Sequence, residues 1–323
     1  MVCPFEFTLE ASGFADVIIC DYNYAFDPQV YLKRFFLNEK KNYAFLVDEA
    51  HNMVDRGREM FSAQLSRMPF ADLLAAVEGS APLLSENLRE IVEWFSDSEK
   101  RFPKKSCGLH SSPDPPASFY PLLETFVRLA EPWLLSNRKS PIRPEILEAY
   151  FRVSNFLKIA GSYDDFYASV FEKFETDIRV KLFCIDPAGP LKIALKRCGS
   201  AIFFSATMTP AGYFREILGC DESAFVMRLS SPFPKENCLA LVADGISTYY
   251  KSRSKTKESL ARTLACLVKQ KTGNYLFFFP SYEYLNMVLD VFAKSNGKVR
   301  TLVQDRKMGE AERGRFLDMF EEE

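Results

Sequence analysis

The sequence predicts an α/β protein in which buried parallel strands are interrupted by a long, mostly helical insertion. Three observations carry this. Short apolar runs alternate with helical patterns near both ends of the chain, the rhythm of βαβ units. Between about residues 59 and 182 that rhythm stops and helical periodicity takes over. The run Ala44 to Val47 reads as a strand buried on both faces, and it ends abruptly in two adjacent carboxylates, Asp48 and Glu49.

Composition sets the outer bounds. With 323 residues, the chain is long enough for two or three domains and a sizeable core. It is 47% hydrophobic and 26% charged, as a globular protein is. A net charge of −2 excludes a global basic field, so any nucleic-acid contact must be local. No apolar run approaches the ~18 residues that span a bilayer, and nothing before Cys3 reads as a signal peptide. A cytoplasmic protein without a membrane partner is expected. The eight cysteines (3, 20, 107, 184, 198, 220, 238 and 266) contain no C-x-x-C pair, which argues against a zinc site and a disulfide framework. Most are expected as core or half-buried thiols, Cys20 among them.

Taken in order, Val17 to Cys20 reads as a buried strand, followed by an aromatic-rich turn (Asp21 to Asp27) and a helix over 29–37. The strand 44–47 completes a βαβ unit. Helical patterns then cover 70–78, 83–101, 117–137, 144–160 and 163–176, separated by the Pro-rich stretches 111–118 and 140–145. Strands return at 180–185 and 201–204, the latter running into Ser205-Ala206-Thr207, and a helix follows at 211–218. The stretch SSPFP (230–234) marks a boundary, because two prolines in three residues cannot continue an element. Beyond it a second α/β pattern begins: strands at 239–243, 275–279 and 299–303, helices at 256–271, 281–294 and 309–323.

The chemistry centres on Asp48-Glu49-Ala50-His51. Open α/β sheets present metal–phosphate sites at the C-terminal edges of their strands. A strand-borne DEAH sequence is the Walker B element of a nucleoside triphosphatase: Asp48 would hold Mg²⁺ and Glu49 would orient and deprotonate the attacking water. The plainer alternative is a solvated turn after an ordinary strand.

Four ordered stretches, CPFE (3–6) with ADVIICDYNYAFDP (15–28), VDEAHN (47–52), FSATMTP (204–210) and FFFPSYEYL (277–285), resemble the XPD/DinG-type superfamily 2 DNA helicases, which carry an iron–sulfur cluster. The resemblance covers nearly the whole chain. It implies two RecA-like motor domains, both incomplete, with a helical arch inserted into the first. The first motor domain would then comprise 1–58 and 183–230, the arch-like insertion 59–182, and the start of the second motor domain 231–323. It implies an ATP-dependent helicase translocating on single-stranded or forked DNA, in repair or recombination, with ATP, Mg²⁺ and a [4Fe–4S] cluster as cofactors. By the same resemblance His51 links the nucleotide site to neighbouring motifs, and Ser205 and Thr207 couple hydrolysis to strand movement. Phe279, Pro280 and Ser281 open the second motor domain, with Phe279 and Ser281 facing DNA. Tyr22 and Tyr24 lie beside the DNA path, where a base can stack on a ring for ~1–3 kcal/mol; core or lid packing explains the two tyrosines equally well. Cys3, followed by Pro4, resembles the last of four cluster ligands.

The sequence also departs from that family. A G-x-x-x-x-G-K-[ST] phosphate loop is not present, and neither are the family's later arginine-bearing motifs, which supply an arginine finger. Three further thiolates for a cluster are missing upstream of Cys3. The expectation is therefore a central fragment that is marginally stable and inactive alone, with Cys3 a free thiol. Lys and Arg outnumber a single acid, Glu258, over 251–271, which suits either phosphate contact or a solvated helix face with Leu260, Leu264, Leu267 and Val268 turned to the core. His110 is expected in a loop, and Trp94 and Trp133 as core anchors of the insertion. Two rivals remain: a non-catalytic remnant whose insertion recruits a protein partner, against which Glu49 argues, and a nuclease-type relative, which lacks an acidic cluster beyond Asp48 and Glu49.

Overall fold

Pro4 opens the first helix, α1 (Pro4–Ala11), at a position where its missing N–H leaves no bond unmade. This is seen in a computed structural model that describes residues 3–36, 43–100 and 108–321. Two single-turn helices follow, α2 (Asn23–Phe26) and α3 (Lys33–Phe36). Strand β1 (Ala44–Val47) then leads through a tight turn into α4 (Met53–Met60). After β2 (Ala63–Ser66), the chain runs through α5 (Arg67–Val77), α6 (Pro82–Glu99), β3 (Gly108–Ser112), α7 (Tyr120–Ser136) and α8 (Arg143–Ala160). It returns by β4 (Tyr167–Lys173) and β5 (Ile178–Cys184), and α9 (Ala188–Leu195), β6 (Ser200–Phe203) and α10 (Ala211–Ile217) close this part.

Two sheets result. Strands β1 and β6 pair in parallel, with Val47 opposite Phe203. The other four strands form an antiparallel sheet in the order β2-β5-β4-β3. Burial alternates along β5, where Ile178, Val180, Leu182 and Cys184 all face inward. Against that face the helices α5 to α8 bring an aromatic cluster that includes Phe70, Phe95, Phe119, Phe126 and Phe156. Trp94 lies flat on Phe119, ring centroids 3.8 Å apart, and its indole N–H reaches Ser118 Oγ.

The chain divides into two units, the first ending at Arg228 and the second beginning at Leu229. The second holds α11 (Arg253–Val268), α12 (Tyr282–Ser295) and α13 (Glu310–Glu321). Its core is small: Ala261, Ala265, Tyr284, Val288 and Phe292, with Leu260, Leu264 and Val268 packed against it. Leu267, expected to face that core, is 39% exposed instead.

Several sequence expectations are corrected here. Val17 to Cys20 forms no strand; Val17 and Ile19 are 78% and 97% exposed, and Cys20 is exposed rather than core. Residues 239–243, 275–279 and 299–303 likewise join no ladder, although apolar runs occur in each. The cause is common to all four: an apolar run becomes a strand only when a neighbour satisfies its backbone. The helix expected over 29–37 is reduced to Lys33–Phe36, with its last residue outside the described ones. The helix expected over 163–176 is strand β4, buried with period two at Tyr167, Ser169 and Phe171. Its partner β5 lies in the antiparallel sheet rather than beside β1. His110 stands on β3, not in a loop. Cys107 lies outside the described residues.

Two predictions follow from this packing. Replacing fully buried Ile91 on α6 by alanine removes buried methyl groups and leaves a cavity, so urea denaturation should show a loss of about 2–5 kcal/mol. At the foot of the same helix, Glu99 accepts from Lys173 (3.0 Å) and Arg67 (2.9 Å). The Lys173 hydrogen bond, with help from the Arg67 charge, holds its carboxyl below the ordinary value. A depressed carboxyl stabilises the fold above its unfolded pKa, and that contribution fades as the pH falls through the folded one. The stability gap between the parent and Glu99→Gln should therefore be full above about pH 5 and close progressively below about pH 4.

Candidate active site

Pairing β1 with β6 sets two sequence-distant turns side by side. The backbone continues the pairing past the strand ends: Phe204 N–H donates to Val47 O (3.0 Å) and Ala50 N–H to Phe204 O (3.1 Å). Asp48-Glu49-Ala50-His51 therefore leaves one strand where Ser205-Ala206-Thr207 leaves the other.

The side chains knit the two turns together. His51 Nδ1 lies 2.7 Å from Ser205 Oγ and 3.3 Å from Glu49 Oε2. Ser205 Oγ is 3.4 Å from both Glu49 Oε2 and Thr207 Oγ1, and it also accepts the Thr207 N–H. Asp48 Oδ1 accepts the N–H of Glu49 at 2.7 Å, and Oδ2 makes no hydrogen bond to the described residues. Both carboxylates are exposed at the sheet edge, while Val47 and Ala50 on either side are buried. Glu49 adopts φ 45°, ψ 41°. A left-handed backbone at a non-glycine residue costs of order 1–2 kcal/mol, and such outliers cluster where the surroundings impose them. All five residues expected at the catalytic centre, Asp48, Glu49, His51, Ser205 and Thr207, are thus brought together.

The residues expected beside nucleic acid make their own contacts elsewhere in the chain. Tyr22 turns its phenol to the DEAH backbone, 2.5 Å from Asp48 O and 3.3 Å from Glu49 O. Burial, then the Asp48, Glu49 and Asp21 carboxylates, push its pKa up, so it stays a neutral donor. Tyr24 stacks on Phe5 of α1, centroids 6.4 Å apart. In the second unit Ser281 caps α12 by accepting the Tyr284 N–H, and takes a bond from Arg253. Phe279 meets the Tyr284 ring edge-on at 5.8 Å. Cys3 is exposed immediately before α1.

One contributor carries no sequence pattern. Arg197, between α9 and β6, donates to Ala25 O (2.6 Å) and Phe26 O (3.4 Å) at the end of α2. Its guanidinium lies 3.7 Å from the centre of the Tyr31 ring. Nothing local distinguishes it from any other arginine; only the fold brings it to the segment that carries Tyr22.

The chain is similar to known proteins in both sequence and fold. The DEAD_2 family model matches residues 1–69. "ATP-dependent DNA helicase CHL1" of Coccidioides immitis is 22% identical over 90% of this chain and 38% of its own length. The protein of that name from Saccharomyces cerevisiae is also 22% identical, over 95% of this chain and 40% of its own. The Gallus gallus "Fanconi anemia group J protein homolog" is 32% identical over 27% of this chain and 7% of its own length. A solved structure of S. tokodaii Xpd4 superimposes with a TM-score of 0.55 at 14% identity, covering 94% of this chain and 60% of that one, which shows a shared fold. The chain thus spans two fifths or less of these curated relatives. The family-model match, the CHL1 relatives and the shared fold all support the likeness of this chain to XPD/DinG-type superfamily 2 helicases.

Arg197→Ala should loosen the seat of α2. Two carbonyls lose their donor, so chemical denaturation should report a loss of about 1–3 kcal/mol. Arg197→Lys should restore little of it, because an ammonium lacks the planar group that lies on Tyr31.

Proposed function

We propose that the protein is an ATP-dependent DNA helicase that moves along single-stranded or forked DNA. The observation that carries the reading is the link from Glu49 through His51 to Ser205. It joins a hydrolytic carboxylate on one strand to the motif that leads toward the second motor domain. The relatives' names, as ATP-dependent DNA helicases, support the same class.

The donor set fits a magnesium nucleotide in part. Mg²⁺ is commonly held by one or two carboxylates together with waters and substrate phosphates, and Asp48 offers a free oxygen at the sheet edge. Bound there, the ion would neutralise charge on the phosphates. Glu49 is placed to orient and accept a proton from the attacking water. His51 holds Ser205 in register, and Thr207 donates its N–H to the same hydroxyl, so a change at Glu49 has a hydrogen-bonded route to the residues after β6. Residues 59–182 act as an arch-like insertion that takes a protein partner; Tyr24 in the first unit would contact DNA, as would Phe279 and Ser281 in the second.

A [4Fe–4S] cluster does not fit the described residues. It needs four thiolates, and among these residues no group of three or more His, Cys, Asp or Glu could hold a metal. No described helix is long and apolar enough to cross a membrane; a cytoplasmic setting belongs to the proposal.

The test is Mg²⁺-dependent ATP hydrolysis with and without single-stranded DNA, with the 323 residues in the context of a complete helicase. Glu49→Gln should lower DNA-stimulated turnover by about 10²–10⁴-fold; unchanged turnover would rule the reading out. The 323 residues by themselves should give no turnover, since none of them forms a G-x-x-x-x-G-K-[ST] loop.

A further inference from the structure

Among the described residues, Glu49 is the one non-glycine position with positive φ, and something must hold it there. The carbonyl of Asp48 turns with the peptide plane that sets φ of Glu49, and the carbonyl of Glu49 turns with its ψ. A group that binds both carbonyls therefore fixes both angles. The Tyr22 phenol is placed to do this, with a short leg to Asp48 O (2.5 Å) and a long one to Glu49 O (3.3 Å). The remaining restraints are main-chain bonds, from Ala50 N–H to Phe204 O and from Asn52 N–H to Glu49 O, and the Asp48 carboxylate on the Glu49 N–H. Among the described residues, Tyr22 supplies the side chain from another segment that binds the main chain of this turn.

We propose that Tyr22 is a positioning residue for Glu49: by bonding the two carbonyls that bracket it, the phenol locks the left-handed turn that aims the Glu49 carboxylate at Ser205 and His51. This rests on the reading of Glu49 as the residue that orients water. It also gives Tyr22 a use that its ring alone does not supply, since phenylalanine would stack on a base equally well.

Segment 21–28 then becomes the adjuster of the site. Its far end is held by Arg197 at Ala25 and Phe26 and by Lys158 of α8, which donates to Pro28 O at 2.7 Å. Tyr24, two residues after Tyr22, rests on Phe5 of α1. A shift of either neighbour reaches Glu49 through one hydroxyl.

The chain contains two histidines, His51 and His110, and His110 lies on β3 in the other sheet. Proton–carbon spectra of the ¹³C-histidine-labelled full chain therefore carry one reporter at the site and one away from it, assigned with His110→Asn. In Tyr22→Phe the His51 ring signal should move toward its position in Glu49→Gln, while His110 stays in place. Tyr24→Phe, on the same helix, should leave both signals where they are. The proposal is overturned if His51 moves in Glu49→Gln but not in Tyr22→Phe, if Glu49→Gln leaves it unmoved, or if Tyr22→Phe shifts His110 as well. None of these readouts requires turnover. Failure of Tyr22 as a positioner is thereby separate from failure of the hydrolysis reading, which is judged on turnover in Glu49→Gln.

Discussion

The parallel pairing of β1 with β6 is the constraint on which the rest depends. It is only four residues long on each side, yet it brings His51 and Ser205 to 2.7 Å across a separation of 154 residues. A parallel pair cannot be joined by a tight turn and needs a crossover; here the connection is far longer than the usual single helix. The side-chain contacts between the two turns, Glu49 to Ser205 and His51 to Ser205 alike, exist because these two short strands lie together. Phe26 of α2 supports them from behind, with its ring against Phe45 of β1 and Phe203 of β6. The aromatic turn that carries Tyr22 is thus seated on the same pair of strands whose ends it restrains.

The sequence was legible where chemistry and pattern coincide. AFLV running into adjacent carboxylates identifies β1 and its turn, and the Ser-Ala-Thr after a second apolar run identifies its neighbour. The insertion's helices are legible from their periodicity, with the expected spans at 70–78, 83–101, 117–137 and 144–160 matching α5 to α8 closely. Strand β4 was not legible, because an inward serine breaks the apolar alternation. Ser169 is fully buried, and its hydroxyl is satisfied by Asp114 O and Tyr163 rather than by solvent. An apolar pattern cannot reveal a polar residue that the fold has already provided for.

The opposite error has the opposite cause. Val17 to Cys20 and 239–243 carry the composition of strands, but a strand is a relation between two segments, and composition describes only one of them. Tyr22 illustrates the same limit within the site. Its ring suits base stacking and plain packing equally well, while its hydroxyl, the atom that touches the DEAH turn, has no signature at all along the chain. Arg197 is a further case: the carbonyls it binds lie more than 170 residues away.

The insertion leaves and re-enters at nearly one point. Its first strand, β2, pairs with its last, β5, so that Ala63 stands opposite Leu182, and Ser62 Oγ accepts the N–H of Cys184 at 2.9 Å. The whole excursion from 63 to 184 is closed by its own sheet before the chain goes on to β6. The entropy of bringing distant ends together, which grows slowly with the length of the loop, is thus met inside the excursion and not at the strands that carry the motifs. What hangs between the two gateposts can lengthen, shorten or change its face toward other molecules while the distance between β1 and β6 stays the same. The fold in this way separates the part of the chain that must keep its geometry from the part that is free to diversify.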